Sequence, residues 1–447
     1  MKLVIIGYGT AGITSASYAK LYSRQTEVVV LERRPYAIYH PCALIDAIAE
    51  RVELEKTVEP PPRMRGLQVL LNKEVTRIDP SGKVIEYIDR SSGREESIQY
   101  DKLIIATGSK PFVPKSLKEA LKIDGVFTLK VVEDAERIKK HLVNTKRIAV
   151  IGAGAIGVAL SIMLSHRLNK QVTLIEAQDS ILPGYMDKEV SNTLKKMLEC
   201  EVGVKVLTSS PVIEISRASD GIKVTAGECT CSYDAVILSI GVRASSELAK
   251  EAGLELNQYG KIKVNERMET SKPDIYAAGD VAEVKNIITG KPAPLYLASI
   301  AFRQGRVAGI NAVGGSEKYM GSIGTWVEST PIINYGGTGL TLKQALNEGF
   351  NAKAVTVTAW HTPPYMPEGE KVTIRLVADI DSHRILGCQV IGKPDITKYL
   401  DLTSYIIIKN GTLQDLISME TAYMPSLSEV YTPLYVAAEA LLRRIKR

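Results

Sequence analysis

Cysteine is scarce in this chain, with five in 447 residues. An odd number spread over so great a length excludes the disulfide framework of small secreted domains. Long apolar runs are lacking as well. No window reaches the roughly 18 apolar residues of a membrane span, so no membrane role is expected. The first apolar run, LVII, leads straight into glycines without the cleavage pattern of a secretory signal, and a cytoplasmic protein is expected. Charge of one sign is not concentrated either. The 56 Lys and Arg against 50 Asp and Glu leave +6, which suits an anionic ligand but is too weak and dispersed for nucleic acid. Cys229 and Cys231 share one face of a strand-like stretch without nearby metal partners, so no metal is expected there. Cys200 and Cys388 read as core positions.

Glycine, by contrast, is placed with care. A strand, KLVIIG, runs into Gly7, Gly9 and Gly12, then into a helical stretch, ITSASYAKLYSR. A second strand, EVVVLE, ends on Glu32, twenty residues after Gly12. This is the dinucleotide fingerprint in its required context: glycines for a tight turn and close approach to pyrophosphate, and an acid for a ribose hydroxyl. The unit then recurs. RIAVIGAGAIG supplies Gly152, Gly154 and Gly157, a helix follows, and QVTLIE ends on Glu176. Two such units imply two nucleotides, with electron transfer between them as the reason to hold both. Glu176 favours NADH over NADPH, because EAQDS offers no Arg or Lys to a 2′-phosphate.

Two further segments end short strands on turns: YDKLIIATGSKP at Thr107-Gly108, and TSKPDIYAAGDVAE at Gly279-Asp280. By pattern alone, Asp280 reads equally as a cofactor contact or as an ordinary turn aspartate. Cys42, in YHPCALID, precedes a helical face of Leu44, Ile45, Ile48 and Val52. A thiol at a helix start is stabilised as thiolate; a buried free cysteine is instead a small core residue, and the position suits either.

The four motifs, in this order, resemble the pyridine nucleotide-disulphide oxidoreductase family over essentially the whole chain. The resemblance implies an α/β fold of two Rossmann-like dinucleotide-binding domains, one inserted in the other, plus a C-terminal α+β dimerisation domain. The expected boundaries are 1–112 with 245–322 for FAD, 113–244 for NAD, and 323–447 for dimerisation. Gly7, Gly9, Gly12, Glu32, Thr107, Gly108 and Asp280 would contact FAD, with Ala298 at the start of a helix (297–309) that abuts the flavin. Gly152, Gly154, Gly157 and Glu176 would contact NADH.

Family members with one redox cysteine place it where Cys42 stands, and the nearest pattern is that of coenzyme A disulphide reductases. Tyr365 and Tyr423 then match tyrosines that face the cysteine across a homodimer, and Lys20 matches a basic position that holds coenzyme A phosphate. Three departures stand out. Cys42 is followed by Ala-Leu-Ile-Asp rather than Gly-Leu-Pro-Tyr, Thr10 replaces a histidine of the peroxidases and oxidases, and Ala159 replaces an acid. The implied activity passes electrons from NADH through FAD and Cys42 to a small-molecule disulphide, persulphide or polysulphide, with coenzyme A among the candidate thiols. The alternatives are an NADH oxidase or small-redox-protein reductase with a structural Cys42, and an FAD-bound regulatory protein.

Overall fold

The computed structural model describes every residue except 368 and 447. Its contacts divide the chain into two compact units. The first comprises 1–112, 130–132 and 242–322; the second comprises 113–129, 133–241 and 323–447.

The first unit is built on a parallel sheet in the order Ile275–Ala277, Lys102–Ile105, Lys2–Ile6, Glu27–Leu31, Leu67–Leu70. The runs KLVII, EVVVL and KLII are buried after their first residues, as strands covered on both faces must be. The helices Thr10–Tyr22 and Ala298–Ala312 pack closely against each other. The approach depends on glycine: a Cβ on Gly309 would lie 2.3 Å from the Ser15 carbonyl oxygen. An antiparallel meander, Lys73–Asp79, Val84–Asp89 and Arg94–Gln99, lies between the third and fourth strands in sequence.

The second unit repeats this plan. Its parallel sheet runs Val126–Thr128, Ala235–Leu238, Arg147–Ile151, Gln171–Ile175, Lys205–Leu207. A meander of Val212–Ala218, Gly221–Ala226 and Cys229–Tyr233 again interrupts the nucleotide fold in sequence, between Lys205–Leu207 and Ala235–Leu238. The same unit holds an antiparallel sheet in the order Trp326–Ser329, Asn334–Gly339, Ile385–Gly392, Lys371–Asp379, Ala352–Trp360. Ile385–Gly392 is buried throughout, and the helices Thr397–Ile408 and Pro433–Ile445 pack on this sheet.

A buried polar knot joins the nucleotide fold to the antiparallel sheet within this unit. Asp187, at the start of helix Lys188–Met197, accepts from Arg375 Nε at 2.9 Å, Gln389 Nε2 at 2.9 Å and the Leu342 amide at 3.0 Å. Arg375 and Asp187 are both almost fully buried, so this pair is shielded from solvent screening. Among the described residues no helix is long and apolar enough to cross a membrane.

Two expectations need correction here. The helix after Cys42 spans only Leu44–Ile48, because Glu50 takes a left-handed φ of 59°, so Val52 lies beyond it and is exposed. Cys388 is buried as expected, but Cys200 is exposed. The helix Lys188–Met197 directs Val190, Ser191 and Leu194 inward, with Leu198 following, and Cys200 falls off that stripe.

Candidate active site

The two glycine loops match in backbone conformation and in what their glycines pack against. Gly7 and Gly152 have φ of 93° and 101°, and a Cβ there would lie 2.5 and 2.4 Å from the oxygens of Ala106 and Ser239. At Gly12 and Gly157 a Cβ would meet the Gly7 and Gly152 oxygens at 2.0 and 1.9 Å. Packing alone therefore demands these four. The middle glycines differ: Gly9 and Gly154 are extended (ψ −170° and −177°), with nothing within 4 Å of a Cβ. The fold tolerates a side chain at both positions, and its absence leaves space in front of two helix starts that carry no side-chain cap. Unpaired first-turn amides behind an open face make an anion site.

The two acids stand alike but are engaged differently. Glu176 accepts from the Ala153 amide at 2.7 Å through one oxygen and from the Gln178 amide at 2.8 Å through the other. A carboxylate accepts about four hydrogen bonds, so each oxygen keeps capacity for a sugar hydroxyl. Glu32 accepts from the Tyr8 amide at 2.8 Å, and from Arg34 through its amide at 2.9 Å, Nε at 2.8 Å and the second guanidinium nitrogen at 2.6 Å. Burial pushes Glu32 up, but the hydrogen bonds and charge of Arg34, with the two amides, outweigh it and hold the carboxyl below its ordinary range. Arg34 in turn lies 4.3 Å from the Tyr39 ring centroid and 5.4 Å from that of Tyr36. Sequence reading missed Arg34; its position two residues after the acid was the available signal.

Asp280 sits at the end of strand Ile275–Ala277, next to Gly279. It accepts from Ser109 Oγ at 2.5 Å, and Lys130 donates to the same Ser109 oxygen at 2.9 Å while standing 3.7 Å from Asp280. Thr107 donates to the Ser245 carbonyl at 2.7 Å, which ties its turn to the returning chain; Gly108 (φ 68°) has open space beside it. Ala298, the first residue of its helix, is exposed. These residues therefore gather at the strand ends of the first unit. Tyr39 links the region: burial raises its pKa, Arg34 lowers it, and the charges of Glu32 and Asp280 both raise it. The segment that leads to Cys42 thus passes within electrostatic reach of both acids.

Cys42 is exposed, in a single 3₁₀ turn, Pro41–Ala43, that feeds the helix Leu44–Ile48. That exposure suits a reacting thiol better than a packing residue. Ala159 is buried. Tyr365 and Tyr423 are both exposed in the second unit, with their hydroxyls 3.5 Å apart. Lys20 does not match its expected role. It is 5% exposed, and its ammonium donates to the carbonyls of Arg24 at 2.8 Å and Thr26 at 2.7 Å. A lysine so held closes the end of its helix, which argues against the phosphate contact expected for it.

Two parallel nucleotide folds, each with an open glycine loop and a strand-end acid, define a chain with a duplicated dinucleotide-type fold. Comparison with known proteins gives the particular family. Residues 1–305 match the model of pyridine nucleotide-disulphide oxidoreductase, and 332–435 match that family's dimerisation domain. The chain belongs to the pyridine nucleotide-disulphide oxidoreductase family. It is 33% identical to an NADH oxidase of Methanocaldococcus jannaschii over 100% of this chain and 99% of that protein. It is 32% identical to an NAD(P)H coenzyme A polysulfide/persulfide reductase of Pyrococcus horikoshii, over 98% of each. Among solved structures, a water-forming NADH oxidase from Lactobacillus brevis bound to NADH has TM-score 0.94 at 29% identity, over 100% of this chain and 99% of that one. The chain is thus an oxidoreductase whose relatives are both sulfur-compound reductases and NADH oxidases.

Proposed function

We propose that this protein is an NADH-dependent flavoprotein that reduces a disulphide, persulphide or polysulphide through FAD and Cys42, in the manner of coenzyme A disulphide reductases. The observation that carries the reading is an exposed cysteine on the segment that crosses the acid-lined strand ends of the first unit.

The residues of the first unit fit FAD. The open face of Gly9 and the uncapped amides behind it suit a pyrophosphate. Tyr8, between Gly7 and Gly9, buries a hydroxyl that has no partner among the described residues, a polar atom that a ligand could satisfy. Ribose would take Glu32, with the Arg34 fork giving up part of its hold, and Asp280 with Ser109 would meet the ribityl side. The second loop, with both Glu176 oxygens half used, suits NADH. Bound FAD would supply the two-electron relay between nicotinamide and sulfur.

Cys42 thiolate attacks the acceptor disulphide, forming one S–S bond as the other breaks and a thiolate leaves. A tyrosine from the Tyr365–Tyr423 pair of a partner subunit donates a proton to that leaving sulfur. The net reaction consumes NADH, one proton and a disulphide and yields NAD⁺ and two thiols. The chain's match to a dimerisation domain supports a homodimer.

The M. jannaschii relative's name favours a second reading, in which O₂ is the acceptor and Cys42 is secondary. One experiment separates the two: NADH consumption with coenzyme A disulphide, coenzyme A persulphide and polysulphide without oxygen, beside oxygen uptake without sulfur acceptors. Sulfur turnover well above oxygen uptake supports the reductase; the reverse supports the oxidase.

A further inference from the structure

Lys261 is a fully buried lysine outside every motif read above. Its ammonium donates to the Leu295 carbonyl at 2.7 Å and lies 3.9 Å from the centroid of the Tyr296 ring. Those residues lead directly into Leu297, the cap position of the helix Ala298–Ala312, where no side chain caps the first amides. A whole charge is thus set beside a helix end that already carries about half a positive charge. Burying an ammonium is costly. Lys263, two residues on, is half exposed and pairs with Glu255 at 3.1 Å in the ordinary way. Burial, opposed by the Asp280 carboxylate, lowers the Lys261 pKa to about 8, which leaves the amine charged at neutral pH.

We propose that Lys261 tunes the flavin electrostatically: its buried ammonium, added to the positive end of the Ala298 helix, stabilises the reduced, anionic flavin and raises its two-electron reduction potential. Reduced flavin carries negative charge along one edge of the ring, and a fixed, desolvated cation favours whichever redox state holds that charge. The proposal rests on the reading that FAD occupies the first unit with its ring toward Ala298.

The test uses Lys261→Gln and Lys261→Met in the full-length protein. FAD content of the native protein is measured first, and a native protein without FAD sinks the cofactor reading itself. Flavin potential is then read by equilibration with a reference dye. Gln can still donate to the Leu295 carbonyl but has no charge; Met has neither. If charge is what matters, both variants keep FAD and shift the oxidised-to-reduced ratio about tenfold toward oxidised, near 30 mV for a two-electron couple. A Gln variant with the native potential overturns the proposal, because the hydrogen bond alone would then suffice. Folded variants without FAD, or two variants that do not fold, make Lys261 a structural residue and overturn it equally.

Discussion

Tyr365 and Tyr423, 58 residues apart in sequence, bring their hydroxyls within 3.5 Å of each other on the exposed side of the second unit. Their two segments are joined through backbone where the Glu429 amide donates to the His361 carbonyl at 3.1 Å, and Lys398 Nζ, from the helix Thr397–Ile408, donates to the Leu427 carbonyl at 3.0 Å. The hydrogen bond to Tyr423 raises the pKa of Tyr365. In such a pair one hydroxyl donates to the other, and the second keeps its proton free for a substrate. Tyr423→Phe and Tyr365→Phe should each lower sulfur-acceptor turnover, by about 100-fold for whichever hydroxyl is the donor. Flavin reduction by NADH, measured by stopped flow, should be unchanged in both. A normal acceptor rate in both variants would remove the tyrosines from the mechanism.

Cys42→Ser touches none of the residues proposed to hold FAD, so it should retain the flavin and accept a hydride from NADH. Disulphide and polysulphide turnover should vanish, since a serine hydroxyl forms no mixed disulphide and is a far weaker nucleophile at neutral pH. The native enzyme should show a long-wavelength absorbance from thiolate beside oxidised flavin, and the variant should lack it. Persistent sulfur turnover in the variant would make Cys42 a bystander.

Glu176 holds the Ala153 and Gln178 amides with one oxygen each, and in the proposed NADH site its carboxylate would meet the 2′-position of the ribose. NADH should exceed NADPH by about tenfold or more in kcat/KM, roughly 1.4 kcal/mol. Glu176→Ala should narrow that ratio, chiefly by raising KM for NADH. Equal efficiency with both cofactors in the native enzyme would contradict this role.

The Asp187–Arg375 pair carries a stability prediction. Arg375→Leu strands a buried carboxylate and should cost about 3–5 kcal/mol. Replacing both partners with apolar residues should cost much less, because no charge is left unpaired. Chemical denaturation of the two single variants and the double variant reads the coupling. Additive losses would mean that the pair acts as two independent side chains.

His361 predicts a response to acid. Burial, helped by the charge of Lys398 and opposed by Asp395, pushes its pKa down to about 4. The ring's Nδ1 lies 2.9 Å from the Tyr399 hydroxyl in a partly buried site, where a protonated ring would place a desolvated charge. Above the ordinary histidine pKa of about 6.5 the ring is neutral in both folded and unfolded chains. Between about 6.5 and 4 only the unfolded chain takes up the proton, so stability falls as pH falls through that window. His361→Gln should lose less melting temperature than the native protein between pH 7 and 4.5. Parallel losses would assign the acid sensitivity elsewhere.

Local order determined much of this protein without any tertiary information. Strand, glycine turn, helix and acid are contiguous in sequence, and the first and third glycines of each loop are demanded by backbone geometry within a few residues or by one neighbouring strand. Both nucleotide folds and their acids were therefore legible. What the sequence could not decide depends on which side of a segment faces inward and on what distant segments bring to it. Lys261 and Lys263 lie two apart in GKIKV, and nothing local says that the first is sealed against Tyr296 while the second reaches Glu255. Arg34 reads as one of two adjacent surface arginines until it is seen gripping Glu32 between two tyrosine rings. Lys20 reads as a phosphate ligand until its ammonium is found on two carbonyls of its own helix end. Charged side chains are long and flexible, so their partners are set by packing around them rather than by spacing along the chain.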